Sequence, residues 1–356
     1  MSSKYEQLAS ILKSKLKHMI SQGITKLETE AELCEKYHMS RQTVRHALKL
    51  LESEGYITRR QGSGSHINKH AFKENSNRIA VITTFLDDYI FPSILHDAQT
   101  VFSSEGYSTL IYTTENKVGV ERDILNTLLE QNICAVLVEG SKTALPTPNA
   151  DLYDRLKLKG IPVLFLHGIY SNLKDYPCLF DDNFKGGYQL AEYLISNGHS
   201  SVSGIFKSDD LQGSQRYHGV ISAMRDHCLN INDDCFSWYD TEERRLLVNN
   251  SNYKFIDDFI QNRLDGSTSV VCYNDEIAHF LIRRLLSSGK RVPDDVAVVS
   301  FDNSFYSHLG PVSITSLGHK GKPTGKAAAE LLLDILTGGE QRSVLLEWEL
   351  NKRGSA

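Results

Sequence analysis

Arg41 and Arg45 stand four residues apart in the run Ser40-Arg41-Gln42-Thr43-Val44-Arg45-His46-Ala47-Leu48, a spacing that sets two guanidinium groups one helical turn apart on a single face. A bidentate arginine matches the O6 and N7 acceptors of guanine and contributes about 1–3 kcal/mol of base discrimination. On an ordinary exposed helix the same side chain adds almost nothing to stability. A second group of polar residues recurs much later, at the carboxyl ends of apolar runs: Thr84, Asp88, Tyr89, Glu139, Lys142, His167, Asp181, Asp182, Lys207, Asp209, Asn274, Asp275 and Asp302. Charged planar groups donate and accept in pairs, which suits the adjacent hydroxyls of a neutral polyol. Base reading near the amino terminus and small-ligand binding beyond it are the two chemistries on offer.

The elements that must position the arginines follow from periodicity. Val44, Ala47, Leu48 and Leu51 recur at i, i+3, i+4 and i+7, so they form the buried stripe of a helix that turns Arg41, Arg45, Gln42 and Lys49 outward. Ser40 is a good N-cap, Met39 can staple onto Val44, and Gly55 suits the helix end. Upstream, Leu8, Ile11, Leu12, Leu16, Met19 and Ile20 predict an amphipathic helix over 5–20, and Thr29 with Glu32 makes a capping box ahead of Leu33, Cys34 and Tyr37. Residues 56–67 read as two short strands around the tip Gln61-Gly62-Ser63-Gly64-Ser65. Three helices and a hairpin describe a winged helix-turn-helix over residues 1–68, followed by a polar linker, 69–77.

From residue 78 to 356 the pattern changes to α/β. Strands are expected at 79–85, 109–113, 135–139, 163–166, 202–206, 270–273 and 296–301, with helices at 92–104, 121–131, 185–196, 216–227 and 276–288. Repeated βα units demand doubly wound parallel sheets, and their number exceeds one sheet, so two lobes with a cleft are expected. Ligands bind such folds at the carboxyl ends of strands, where the polar set above lies.

At 356 residues and 40% hydrophobic, the chain can bury several cores. Residues 1–70 carry 12 Lys and Arg against 7 Asp and Glu, whereas the whole chain has a net charge of -5, so a basic head precedes an acidic body. The six cysteines, Cys34, Cys134, Cys178, Cys228, Cys235 and Cys272, lack metal-ligand spacing and a disulfide pattern and read as small buried hydrophobes in a reducing cytoplasm. Lys13, Lys15 and Lys17 interrupt the first apolar stretch, which excludes a signal peptide or a spanning helix there. Asp181-Asp182 on an extended strand point to opposite faces and make a poor catalytic pair. They are read either as a polar strand end or lobe hinge, or with one of the two touching a ligand. Gly186-Gly187 lacks the context of a phosphate loop and reads as close helix packing, and no EF-hand or HExxH spacing indicates a metal. His167 and His319 are read either as satisfied structural histidines or as ligand contacts. An enzyme, a cofactor and a metal are therefore not expected.

The head resembles the GntR family of bacterial regulators through Leu27-Glu28-Thr29-Glu30-Ala31-Glu32-Leu33, Ser40-Arg41, Thr43-Val44-Arg45 and the wing turn, with Glu28 where that family usually has proline and His66 where an aromatic usually follows the turn. The body resembles the LacI/GalR and periplasmic sugar-binding type through Asp181-Asp182-Asn183-Phe184-Lys185-Gly186-Gly187, Arg216-Tyr217-His218-Gly219, Cys272-Tyr273-Asn274-Asp275-Glu276 and Ser300-Phe301-Asp302-Asn303. The pairing resembles the arabinose-responsive repressors of Gram-positive bacteria. That resemblance implies a cytoplasmic homodimer that binds operator DNA and is released by a sugar, L-arabinose being the expected effector. The alternative is the same architecture sensing another sugar, a purine or an amino acid. It further implies Lys4, Glu30, Arg41, Gln42, Thr43, Arg45, Gln61 and Gly62 at the DNA. Thr84, Asp88, Tyr89, Glu139, His167, Lys207, Arg216, Asn274 and Asp302 are the expected effector set.

Overall fold

The structure, a computed structural model, describes residues 4–21, 24–60, 64–68, 76–86, 89–264 and 266–356. The chain divides into two units, Met1–Ser76 and Asn77–Ala356.

In the first unit α1 (Lys4–Ser21), α2 (Glu30–Tyr37) and α3 (Arg41–Ser53) pack Leu8, Leu12, Leu16, Leu33, Val44, Leu48 and Leu51 into one apolar core. The antiparallel strands β1 (Ile57–Arg60) and β2 (Gly64–Ile67) follow, and Lys26 bridges to His66 beside them. The expected caps are present. Thr29 and Glu32 form the capping box of α2, and the Ser40 side chain accepts from the Thr43 amide. At the end of α3, Gly55 has φ +78, Tyr56 N donates to Leu51 O and Gly55 N to Glu52 O, a Schellman closure that launches β1. Glu28 ties α1 to α2 by accepting from Lys15 and from Lys36 at 2.8 Å. Partial burial works against its charge, but the two ammonium groups outweigh it and lower its pKa to about 2.

The second unit has two six-stranded sheets. β3 (Arg78–Thr83), β4 (Ser108–Thr113), β5 (Ala135–Val138), β6 (Val163–Leu166), β7 (Cys178–Asp181) and the late β13 (Val344–Leu346) lie in the order β13-β7-β6-β5-β3-β4, all parallel. Helices α4 (Phe91–Ser104) and α13 (Thr324–Leu336) cover one face, and α5 (Val118–Glu130) and α6 (Ala150–Leu158) the other. The other lobe orders β8 (Val202–Lys207), β9 (Phe236–Tyr239), β10 (Ser269–Cys272), β11 (Ala297–Phe301), β12 (Thr315–His319) and β14 (Trp348–Asn351) as β14-β12-β11-β10-β8-β9, parallel except for β14 against β12. Its sheet lies between α7 (Asn183–Ser196) with α8 (Leu211–Asp226) and α9 (Thr241–Asn250), α10 (Lys254–Asn262) with α11 (Asp275–Ser287). The chain crosses between lobes after β7, after β12 and between β13 and β14.

Gly187 and Gly219 let α7 and α8 touch backbone to backbone. A Cβ on Gly187 would stand 2.0 Å from the Arg216 carbonyl oxygen, and one on Gly219 would stand 2.0 Å from that of Phe184. The close packing expected of Gly186-Gly187 is thus its role. Three expectations change. β9, β12, β13 and β14 were not anticipated, and β7 only through the extended Asp181-Asp182, because these strands are short or polar and owe their pairing to distant neighbours. α8 begins at Leu211 on the N-cap Asp210, not at Arg216, so Arg216 lies inside the helix. Only Cys178 and Cys272 are buried, whereas Cys34, Cys134 and Cys235 are half-buried and Cys228 is exposed.

Candidate functional sites

On the first unit, Lys4, Arg41, Gln42 and Arg45 are exposed, and Thr43 is half-buried beside its cap Ser40. Glu30, the first residue of α2, accepts from Arg45 Nε at 2.9 Å and from Arg59 on β1. Gln61 and Gly62, both expected at the DNA, lie outside the described residues, as does most of the 69–77 linker. The helix stripe therefore presents Arg41 and Arg45 away from the core, and Glu30 joins Arg45 to the hairpin.

In the second unit, strand carboxyl ends from both sheets face one cleft. Thr84, Tyr89, Glu139 and His167 line it from one lobe, and Lys207, Arg216, Asn274 and Asp302 from the other. Asp88 lies outside the described residues. Lys142 is exposed and does not line the cleft, and Asp182 caps α7 instead, its side chain accepting from the Lys185 amide. Asp275 is fully buried beneath the lining, where it accepts from Ser300 and from the Ser304 amide at 2.6 Å. Burial and the nearby Asp302 charge push the Asp275 carboxyl up to about 7, against the Ser300 and Ser304 hydrogen bonds. Tyr89, His167 and Asp302 hold positive φ of 55°, 63° and 90°. Such backbone costs about 1–3 kcal/mol per residue and persists where the surroundings enforce it, commonly at binding sites.

Arg216 is 1% exposed, which excludes a solvated role. It donates from Nε to Asn183 Oδ1 at 2.9 Å, from Nη1 to the Tyr273 carbonyl at 2.5 Å and from Nη2 to Asp302 at 3.4 Å, and it lies over the Phe301 ring at 4.2 Å. Lys207 faces Asp209 at 2.9 Å and Asp210 at 3.3 Å. Arg244 meets Glu276 through two bonds of 2.6 and 2.8 Å and covers the Phe85 ring of the other lobe. Burial disfavours the charged Lys207 and Arg216, but these carboxylates outweigh it and raise both pKa values. On the facing wall, the Glu139 carboxylate accepts from Thr84 N at 2.9 Å, Thr84 Oγ1 at 2.6 Å and His167 Nδ1 at 3.3 Å. Burial also works against the His167 imidazolium, yet Glu139, Asp181 and Asp302 hold its pKa above the ordinary histidine value.

The lobes are tied across the cleft. Tyr89 donates to Asp302 Oδ2 at 2.7 Å, Asn116 Nδ2 to Asp209 at 3.0 Å and to Thr241 Oγ1 at 2.6 Å, and the Leu211 amide to Thr143 Oγ1 at 3.0 Å. The crossing strands meet at His319. Its Nε2 donates to Asp181 at 2.6 Å and its Nδ1 hydrogen-bonds the Thr324 hydroxyl at 3.0 Å. Trp348 stacks on its ring at 4.6 Å while donating from Nε1 to the Asp182 carbonyl. Asp181 and His319 thus line the cleft and sit at the hinge at once, which joins the two alternatives left open by the sequence. Sequence reasoning missed Asn116, Asp210, Gln212, Tyr239, Arg244 and Tyr273 in the lining. Asp210 carried a signal, as a helix cap directly after a strand. Arg244 did not, because its helix follows an unanticipated strand. Among the described residues no cluster of His, Cys, Asp and Glu suits a metal, and no helix is long and apolar enough to cross a membrane.

Comparison with known proteins agrees with this division. Residues 4–67 match the family described as bacterial regulatory proteins, gntR family, and residues 191–356 match the periplasmic binding protein-like domain. The arabinose metabolism transcriptional repressor of Halalkalibacterium halodurans is 34% identical over 342 residues, 94% of this chain and 90% of that protein. The arabinose metabolism transcriptional repressor of Geobacillus stearothermophilus is 33% identical over 322 residues, 90% of this chain and 86% of that one. The solved complex of transcriptional regulator CelR with cellobiose shares the fold, with a TM-score of 0.66 at 21% identity over 89% of this chain and 92% of that one. With both units aligned at such identity to full-length regulators, the chain belongs to the arabinose metabolism transcriptional repressor family.

Proposed function

We propose that this repressor binds operator DNA through α3 and its wing, and that L-arabinose in the interlobe cleft releases it. One observation carries the sugar reading: Lys207, Arg216 and Arg244, the cleft's lysine and arginine side chains, each face a carboxylate of the chain itself. A ligand anion would have to displace those carboxylates, whereas a neutral polyol can share their remaining lone pairs and protons. Phe85 and Phe91 supply apolar surface for sugar C–H groups. Thr84, Tyr89, Glu139, His167, Lys207, Arg216, Asn274 and Asp302 are the residues we assign to the effector.

Sugar bridging the lobes favours the closed cleft, and if operator binding favours another state, each ligand weakens the other by the same factor, about 1–3 kcal/mol. We take the active species as a cytoplasmic homodimer, since a single winged helix makes few phosphate contacts and two half-sites multiply affinity. Closure would then act by changing how two bodies pair. The cleft is read as a binding site without catalysis or cofactor, and turnover of L-arabinose by the purified protein would revive an enzyme reading.

The test is occupancy of a promoter duplex from an arabinose-utilisation gene of the same genome, titrated with L-arabinose. Release is expected. Unchanged occupancy at saturating sugar would overturn the coupling. Asp302→Ala should bind that duplex normally and resist release. Thermal shifts across pentoses, hexoses, purines and amino acids separate L-arabinose from the alternative effectors.

A further inference from the structure

A carboxylate on a surface that meets DNA phosphates is repelled by them, so Glu30 requires an explanation beyond contact. Its place is set by the Thr29–Glu32 capping box, which makes Glu30 the first residue of α2. From there one carboxylate oxygen accepts from Arg45 Nε at 2.9 Å and the other from Arg59 Nη2. Arg59 is itself anchored, because its amide donates to Glu52 Oε1 on α3 at 3.2 Å. Three elements, α2, α3 and β1, therefore converge on one acid. The Arg45 side chain remains 67% exposed despite the pair, so it is held without being covered.

An unrestrained arginine on an open helix samples many rotamers, and fixing it on DNA costs side-chain entropy. Gripping it through Nε removes that freedom while keeping both terminal amino groups for the paired acceptors of guanine. We propose that Glu30 is a positioning residue for sequence selection: it aims Arg45 at a base edge and holds Arg59 on the wing toward the backbone, without itself reading a base. This inference rests on the DNA-reading function proposed above. Glu30 is also an electrostatic filter. Its charge opposes indiscriminate attraction to phosphates, so the two arginines are fully effective only where Arg45 finds its guanine.

The experiment selects binding sequences from a randomised 20-base-pair duplex pool with the full-length wild type, Glu30→Ala, Glu30→Gln, Arg45→Ala and Arg59→Ala. Affinities for the selected and a scrambled duplex are then measured at several salt concentrations. Glu30→Ala should lose selectivity at the same base position as Arg45→Ala, within the range of about 5- to 150-fold that one bidentate arginine–guanine contact supplies. Its affinity for scrambled DNA should hold or rise, and its melting temperature should stay near wild type. Glu30→Gln, which retains one acceptor oxygen, should fall between. Adding Glu30→Ala to Arg45→Ala should cost no further selectivity. Arg59→Ala should weaken both duplexes alike and make the salt slope shallower by about one. Equal loss on both duplexes by Glu30→Ala, relaxation at a different base position, or no change would each overturn the inference. Should the wild type select no sequence, the DNA-reading function fails, and the inference falls with it.

Discussion

Arg45 in the winged-helix unit and Arg216 in the two-lobed unit place the same guanidinium in opposite surroundings. The Arg45 side chain is 67% exposed and held by one acid, and that of Arg216 is 2% exposed, with an amide, a carbonyl, a carboxylate and aromatic rings around it. The first keeps its charge at the surface. The second has its charge answered inside the protein and forms a fixed hydrogen-bonding wall. The same contrast holds for the acids. Glu28 in the head is held low by two lysines, and Asp275 in the body is pushed up by burial and a neighbouring carboxylate.

The sharpest way to break the contrast is Arg216→Ala. It leaves the buried Asp302 carboxylate without its guanidinium partner and removes packing among Phe301 and Trp348, so a loss of about 3–5 kcal/mol is expected in denaturant unfolding of the second unit. Arg45→Ala should leave the melt of the first unit unchanged, and similar losses for the two arginines would dissolve the distinction.

Next comes pH. A folded-state pKa raised to about 7 means that native Asp275 binds a proton the unfolded chain has already released. Its contribution is therefore complete below its ordinary value and is lost as pH rises from about 4 through 7, at about 1.4 kcal/mol per unit. Asp275→Asn should flatten that decline in calorimetric scans. A decline that persists unaltered would reassign it to other groups.

Smaller again is Gly187→Ala or Gly219→Ala. Each forces α7 away from α8 against a backbone carbonyl and should cost about 1–3 kcal/mol while leaving the first unit's transition in place. The smallest effect is Glu28→Gln. A depressed pKa gives stability that is present above the ordinary glutamate value and lost as pH falls toward about 2, so the substitution should lower the head's stability by about 1 kcal/mol at pH 7 and by nothing measurable near pH 2. Opposite pH trends in the two units are the signature to seek, and parallel trends would count against it.

Much of this molecule is legible without coordinates. The stripe Val44, Ala47, Leu48 and Leu51, the Thr29 and Ser40 caps and Gly55 are local signals, and local hydrogen bonds realise them. Strands such as Ala-Val-Leu-Val at β5 are continuous apolar runs because both faces of a parallel sheet are covered. β12 is different. Thr315-Ser316-Leu317-Gly318-His319 reads as a loop, yet its first four residues are buried, because the Thr315 amide finds the Ser355 hydroxyl and the Ser316 hydroxyl accepts from the Asn303 amide. No window around β12 contains those partners.

The cleft divides in the same way. Residue types and strand ends were enough to nominate Glu139, His167, Lys207, Asn274 and Asp302, since open α/β sheets present ligand groups where strands end, whereas Arg216, inside a helix, was nominated only by the family resemblance. Sequence alone also set the two kinds of unit, through periodicity, capping and charge. Tertiary structure decided which acid answers which base, that Arg244 and Asn116 belong to the cleft, and that Asp181, His319 and Trp348 join the crossing strands. Those pairings unite residues up to 166 positions apart, and their energies exist only once folding has removed the water between them.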